Sequence, residues 1–74
     1  MKRFVYVIVY STSHAIRIER ELQTRGLDCR LVPVPRQFSS DCGVCVRIAD
    51  ATVEVVRGIV ESTQIEIEGI HSVG

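Results

Sequence analysis

Apolar positions mark out a regular series of short segments. Phe4-Val5-Tyr6-Val7-Ile8-Val9-Tyr10 is an unbroken β-branched and aromatic run, the pattern of a central strand covered on at least one face. Ser11, Thr12 and Ser13 follow as N-cap candidates. Residues 14–25 then read as a helix, with Ala15, Ile18, Leu22 and the stem of Arg25 on one stripe and Arg17, Glu21 and Gln23 elsewhere. Glu21 and Arg25 stand in the favourable i,i+4 order, and Gly26 is placed to stop the helix. Residues 27–34 form a second strand. Pro33 and Pro35 cannot donate to a ladder, so this strand belongs at a sheet edge. Residues 44–48 make a third strand. Asp50 is positioned to cap a helix over 51–62, with Val53, Val56 and Val60 as its core stripe. Gly58 and the valines give that helix poor propensity, so packing must hold it. Ile65-Glu66-Ile67-Glu68 alternates as a half-buried antiparallel strand does, which leaves 69–74 as a short tail.

The element order is β-α-β-β-α-β. Closed into one sheet with right-handed crossovers, this is an α+β ferredoxin-like plait with antiparallel strand order 4-1-3-2, a single domain over residues 1–74. The local signals agree: the all-apolar first strand is central, and the proline-bearing second and alternating fourth strands are edges. Two open edges and a thin core point to a homodimer. Strand four, without proline, is the better pairing edge, although Glu66 and Glu68 are the kind of charges that block such pairing.

Composition narrows the function. A hydrophobic content of 46% with 24% charged residues is that of a folded chain. Formal net charge is zero, and two Phe, two Tyr and no Trp supply little for base stacking, so nucleic acid is not an expected partner. Met1-Lys2-Arg3 before the first apolar run mimics a signal peptide, but that run is short, lacks a clean cleavage site and is the best strand in the chain. No run reaches the length of a membrane span. Three cysteines, an odd number without a disulfide framework, agree with a reducing cytoplasmic compartment.

The candidate chemistry collects in the loop Pro33-Val34-Pro35-Arg36-Gln37-Phe38-Ser39-Ser40-Asp41-Cys42-Gly43. It is longer than a hairpin needs, and loops carried on a rigid scaffold are where function concentrates. The plainer reading is a long polar hairpin with a bystander cysteine. The plait topology brings the end of strand one, the start of helix one and this loop to one end of the sheet. Cys42 should then lie near Ser11, Thr12, Ser13 and His14. Free amides at the helix start, together with Arg36, would favour a thiolate; Asp41 works the other way. Gly43 leaves room for close approach. Equally, Ser11 to Ser13 could do no more than cap the helix, and His14 could be an exposed first-turn residue. Cys42-Gly43-Val44-Cys45 is a C-x-x-C, but it opens a strand, where residues three apart point to opposite faces. Cys45, like Cys29, therefore reads first as a core residue and second as a resolving thiol. Cys42, Cys45 and His14 fall short of the four ligands of a structural zinc. The C-x-x-C of plait-type copper chaperones lies between strand one and helix one, where this chain has Ser11-Thr12-Ser13-His14. No metal or other cofactor is expected.

Ser11-Thr12, Ala15, Glu19, Leu22 and Gly26, followed by Leu31-Val32-Pro33-Val34-Pro35-Arg36 and Ser39-Ser40-x-Cys42-Gly43, resemble the Se/S carrier protein-like family of very small bacterial proteins. The proline-arginine loop with Ser-Ser-x-Cys-Gly is the most specific part. The resemblance implies carriage of sulfur or selenium on a cysteine, and Cys42 matches the family's cysteine. Cys45 departs from the small or apolar residue expected there, so a dithiol mechanism is not implied. The expectation is a carrier, not a stand-alone enzyme. Cys42 holds a persulfide or selenium between donor and acceptor proteins, and Arg36, Ser39, Ser40, Gly43, Ser11, Thr12 and His14 line the site. The alternatives are a regulatory plait binding a small anion or a protein, and a thiol redox module using Cys42 with Cys45.

Overall fold

A computed structural model of the chain describes residues 4–38 and 43–73. Its elements are strand β1 (Phe4–Val9), helix α1 (Thr12–Thr24), strands β2 (Cys29–Pro33) and β3 (Val44–Ala49), a 3₁₀ turn (Asp50–Thr52), helix α2 (Val53–Thr63) and strand β4 (Ile67–Val73). The four strands form one antiparallel sheet in the order β2-β3-β1-β4. This is the expected 4-1-3-2 arrangement, with the proline-bearing β2 at one edge and β4 at the other.

Both helices cover the same face. Val5, Val7 and Val9 of β1 and Val46 and Ile48 of β3 are buried with Ala15, Ile18 and Leu22 of α1 and with Val56, Ile59 and Val60 of α2. Each aliphatic side chain so buried contributes roughly 1.5–3 kcal/mol. The result is a two-layer slab only 16 Å deep along its short axis. The expected stripe of α1 is the observed one, except that Arg25 is exposed and pairs with Glu21 at 3.8 Å. In α2, Ile59 takes the fully buried place expected for Val53, which is half-buried.

The helix ends follow from local chemistry. The Ser11 side chain caps α1 by accepting from the His14 amide. At the other end Gly26 adopts φ +75°. The Leu27 amide donates to the Leu22 carbonyl and the Gly26 amide to the Gln23 carbonyl, a Schellman closure that brings Leu27 onto the core. Asp50 does not cap α2. It opens the 3₁₀ turn, and Thr52 stands at the N-cap with no side-chain bond to the helix, its hydroxyl donating instead to the Ala49 carbonyl at 2.8 Å.

The fourth strand departs most from expectation. The alternation predicts a strand over 65–68 and a tail over 69–74, yet β4 runs Ile67–Val73 and pairs along the whole of β1, from Val9↔Ile67 to Phe4↔Val73. The cause is a bulge. Ile8 pairs with Gly69 and Val9 with Ile67, so Glu68 is an extra residue on β4. Ile67 and Ile70, three apart, consequently both face the helices, which breaks the period of two on which sequence reading depends. Ile65, ahead of the strand, is buried in the same core.

Gln64 ends α2 at φ 58°, in the left-handed region. That conformation costs an L side chain roughly 1–2 kcal/mol, against about 0.5–1 kcal/mol for the extra backbone freedom of glycine in the unfolded chain. Gln64→Gly should therefore raise the free energy of unfolding in urea by up to about 1 kcal/mol, whereas β-branched Gln64→Val should lower it. A glycine variant no more stable than the valine one would contradict the cap.

Candidate functional site

Helices cover one face of the sheet, and the β2–β3 loop reaches across the other. Alternation along β1 puts Phe4, Tyr6 and Ile8 on that second face, and along β3 it puts Cys45 and Arg47 there. Ile8 and Cys45 are nevertheless fully buried. Among the described residues Phe38 also lies over this face. Its ring lies 5.0 Å from that of His71 in a stacked arrangement and 6.0 Å from that of Tyr6 in a tilted one, both favourable for aromatic pairs. Gly69 makes space for this: a Cβ there would stand 2.9 Å from His71 Nε2. Neither Phe38 nor His71 was singled out from sequence, Phe38 because it sits in a polar loop and His71 because its segment read as a tail. The available signal was the apolar run of β1, whose lack of alternation required a cover on both faces.

The loop is tied at both ends of its described part. The Val34 amide donates to the Gly43 carbonyl at 3.2 Å, extending the β2–β3 hairpin by one bond, and the Phe38 amide donates to the Pro35 carbonyl at 3.0 Å, closing a turn over 35–38. Arg36 lies in that turn, exposed and in no ion pair among the described residues. Gly43 is exposed, and no heavy atom of a non-adjacent described residue lies within 4 Å of where a Cβ would stand. Ser39, Ser40 and Cys42 lie outside the described residues.

The other expected partners stand where β1 gives way to α1. Ser11 Oγ is 2.9 Å from His14 Nδ1 and 3.1 Å from Ser13 Oγ. His14 is half-buried and Thr12 exposed. Because β1 and β3 are antiparallel, with Val7 opposite Val46, this Ser11–His14 group and Gly43 occupy the same end of the sheet. Ser11, Thr12 and His14 thus share one end with the roots of the loop, while Arg36 is joined to them by no hydrogen bond among the described residues.

Neither described thiol is exposed. Cys45 is fully buried. Cys29 is half-buried, its Sγ donating to the Glu19 carbonyl at 3.6 Å. Burial, reinforced by the carboxylates of Glu19 and Asp28, pushes the Cys29 thiol above its ordinary pKa.

The family model described as "Putative Se/S carrier protein-like" matches residues 4–72, from the first residue of β1 into β4. The chain belongs to this family. A protein of Escherichia coli strain K12 titled "Uncharacterized protein YtiA" is 28% identical over 74 residues, covering 95% of this chain and 86% of that protein. No solved structure matches. The Se/S carrier-like match takes in both helices, all of β3 and most of β4, so the resemblance seen in the loop and α1 extends across the sheet. No helix among the described residues is long and apolar enough to cross a membrane.

Two outcomes follow. In a Cys42→Ser background, alkylation of Cys29 should stay slow at neutral pH and accelerate only above the usual thiol range, as followed by mass spectrometry across pH; a midpoint below that range would contradict the Cys29 environment. Phe38→Ala should destabilise the fold by about 1–3 kcal/mol in urea. It should also speed labelling of Cys45, and an unchanged Cys45 rate would show that Phe38 is not its cover.

Proposed function

We propose that the chain is a ferredoxin-like carrier that holds sulfur or selenium on Cys42 and passes it between donor and acceptor proteins in the cytoplasm. The observation that carries this reading is family membership over residues 4–72. The β-α-β-β-α-β order with strands 4-1-3-2 supports the plait. The described thiols support the choice of cysteine, since Cys45 is buried and the pKa of Cys29 is raised; the nucleophile is then left to Cys42. A fully buried Cys45 also favours a single-thiol carrier over a dithiol one.

In the sulfur case the Cys42 thiolate attacks the terminal sulfur of a donor persulfide. A new S–S bond forms on Cys42 as the donor's S–S bond breaks, and the donor leaves as its thiolate. The transferred sulfur keeps its proton until the new persulfide ionises, and no external oxidant is consumed. Delivery repeats the step with the acceptor as nucleophile. Arg36, the Ser39 and Ser40 hydroxyls and the first-turn amides of α1, beside Thr12 and His14, are the groups available to steady the persulfide anion. Ser11 already takes the His14 amide, so the contribution of α1 rests on the Ser13 amide. The open surroundings of Gly43 give a partner's reacting group room to approach.

The test is loading from a persulfide-bearing sulfurtransferase, followed by intact mass. Wild type should gain one sulfur atom and Cys42→Ser none, while Cys45→Ala should keep most of the loading. Arg36→Ala should slow alkylation of Cys42 at neutral pH by several-fold, or about 1 kcal/mol. Loading that survives Cys42→Ser would remove the carrier reading and leave a binding plait. Equal loss in Cys45→Ala, with an intramolecular disulfide, would favour the redox module.

A further inference from the structure

A cavity of about 500 Å³ opens at the end of the sheet away from the β2–β3 loop, lined by Phe4, Arg30, Arg47, Asp28, Cys29 and Asp50 among others. Its size is that of a small-molecule site. The ladder sets Arg30 directly opposite Arg47. Val46 and Ile48 on either side of Arg47 belong to the helix-side core, so both arginines stand on the helix-free face. Like charges opposed across adjacent strands destabilise the pairing, and no ion pair among the described residues holds either arginine. The ion pair formed among the described residues joins Glu21 to Arg25 on α1 and involves neither Arg30 nor Arg47. Arg47 is held instead by stacking on Phe4, with its guanidinium carbon 4.2 Å from the ring centre. A guanidinium held over a ring still has N–H groups to donate.

We infer that this cavity binds a small oxyanion of the phosphate class, gripped between the Arg30 and Arg47 guanidinium forks. A tetrahedral dianion has oxygens enough for both forks and turns the opposed charges from a cost into a clamp. Asp28 and Asp50 line the same cavity, are exposed, and pair with neither arginine; they oppose the anion and temper its affinity. The cavity exceeds a bare oxyanion, so the phosphate group of a small phosphorylated molecule fits as well as the free ion. The site is distinct from Cys42 and does not depend on the carrier reading.

Amide NMR titration with sodium phosphate tests the site, with sodium chloride at matched ionic strength as the control for simple screening of the arginine pair. Phosphate, and not chloride, should shift the amides of Phe4, Arg30, Arg47 and Ala49. Arg30→Gln, at an exposed edge position, should weaken binding about tenfold or more, the equivalent of losing one charge-assisted contact. Arg47→Lys should weaken it as well, Asp28→Asn should tighten it, and Cys42→Ser should leave it unchanged. Tighter binding of glycerol phosphate than of inorganic phosphate would assign the site to a phosphorylated small molecule, and equal binding to the free oxyanion. Equal shifts with chloride, or phosphate binding of undiminished affinity in Arg30→Gln, would overturn the proposal.

Discussion

The central strand has two apolar faces and the chain has helices for only one of them. Val5, Val7 and Val9 are buried under α1 and α2, but Ile8 points the other way and is equally buried. A buried face needs cover, and among the described residues no further helix or strand provides it. The β2–β3 loop therefore serves as structure. Phe38 reaches across to Tyr6 and His71, and the Val34–Gly43 bond anchors the hairpin from which the loop departs. The length of this loop, excessive for a turn, is explained in part by the sheet surface it must cross.

Much of the fold was legible because the governing patterns are local. The run 4–10, the Ser11 cap, the Ala15–Ile18–Leu22 stripe and Gly26 each act within a few residues of themselves, and the prolines of β2 assign it to an edge without reference to anything distant. What could not be read was set by partners elsewhere in the chain. The bulge at Glu68 exists only in relation to Ile8 and Val9. The role of His71 exists only in relation to Phe38 and Gly69. Asp50 had the residue type of a cap, but the chain leaves β3 through a 3₁₀ turn first, and the capping position falls to Thr52.

The candidate site divides in the same way. Sequence placed Ser11 to His14 and the loop at one end of the sheet, and the antiparallel register of β1 with β3 puts Ser11, His14 and Gly43 there. The serines proved to have local employment: Ser11 caps the helix and holds the His14 ring. That occupation matters for the chemistry, because a histidine fixed to its own helix cap is oriented without help from the loop. The opposed pair Arg30 and Arg47, at the far end, was invisible beforehand, since only the strand register makes the two residues neighbours.

The pairing of Phe4 with Val73 has a kinetic consequence. The strand that completes one side of β1 comes from the opposite end of the described chain, so the sheet closes through its longest possible loop. The entropy of that closure grows only slowly with length, but it must be met before Ile67 and Ile70 can reach the core. Hairpin β2–β3 and helix α1 can form early from near neighbours, whereas the β1–β4 seam forms late. A chain that has not yet closed this seam leaves β1 with an apolar, hydrogen-bonding flank open to another chain.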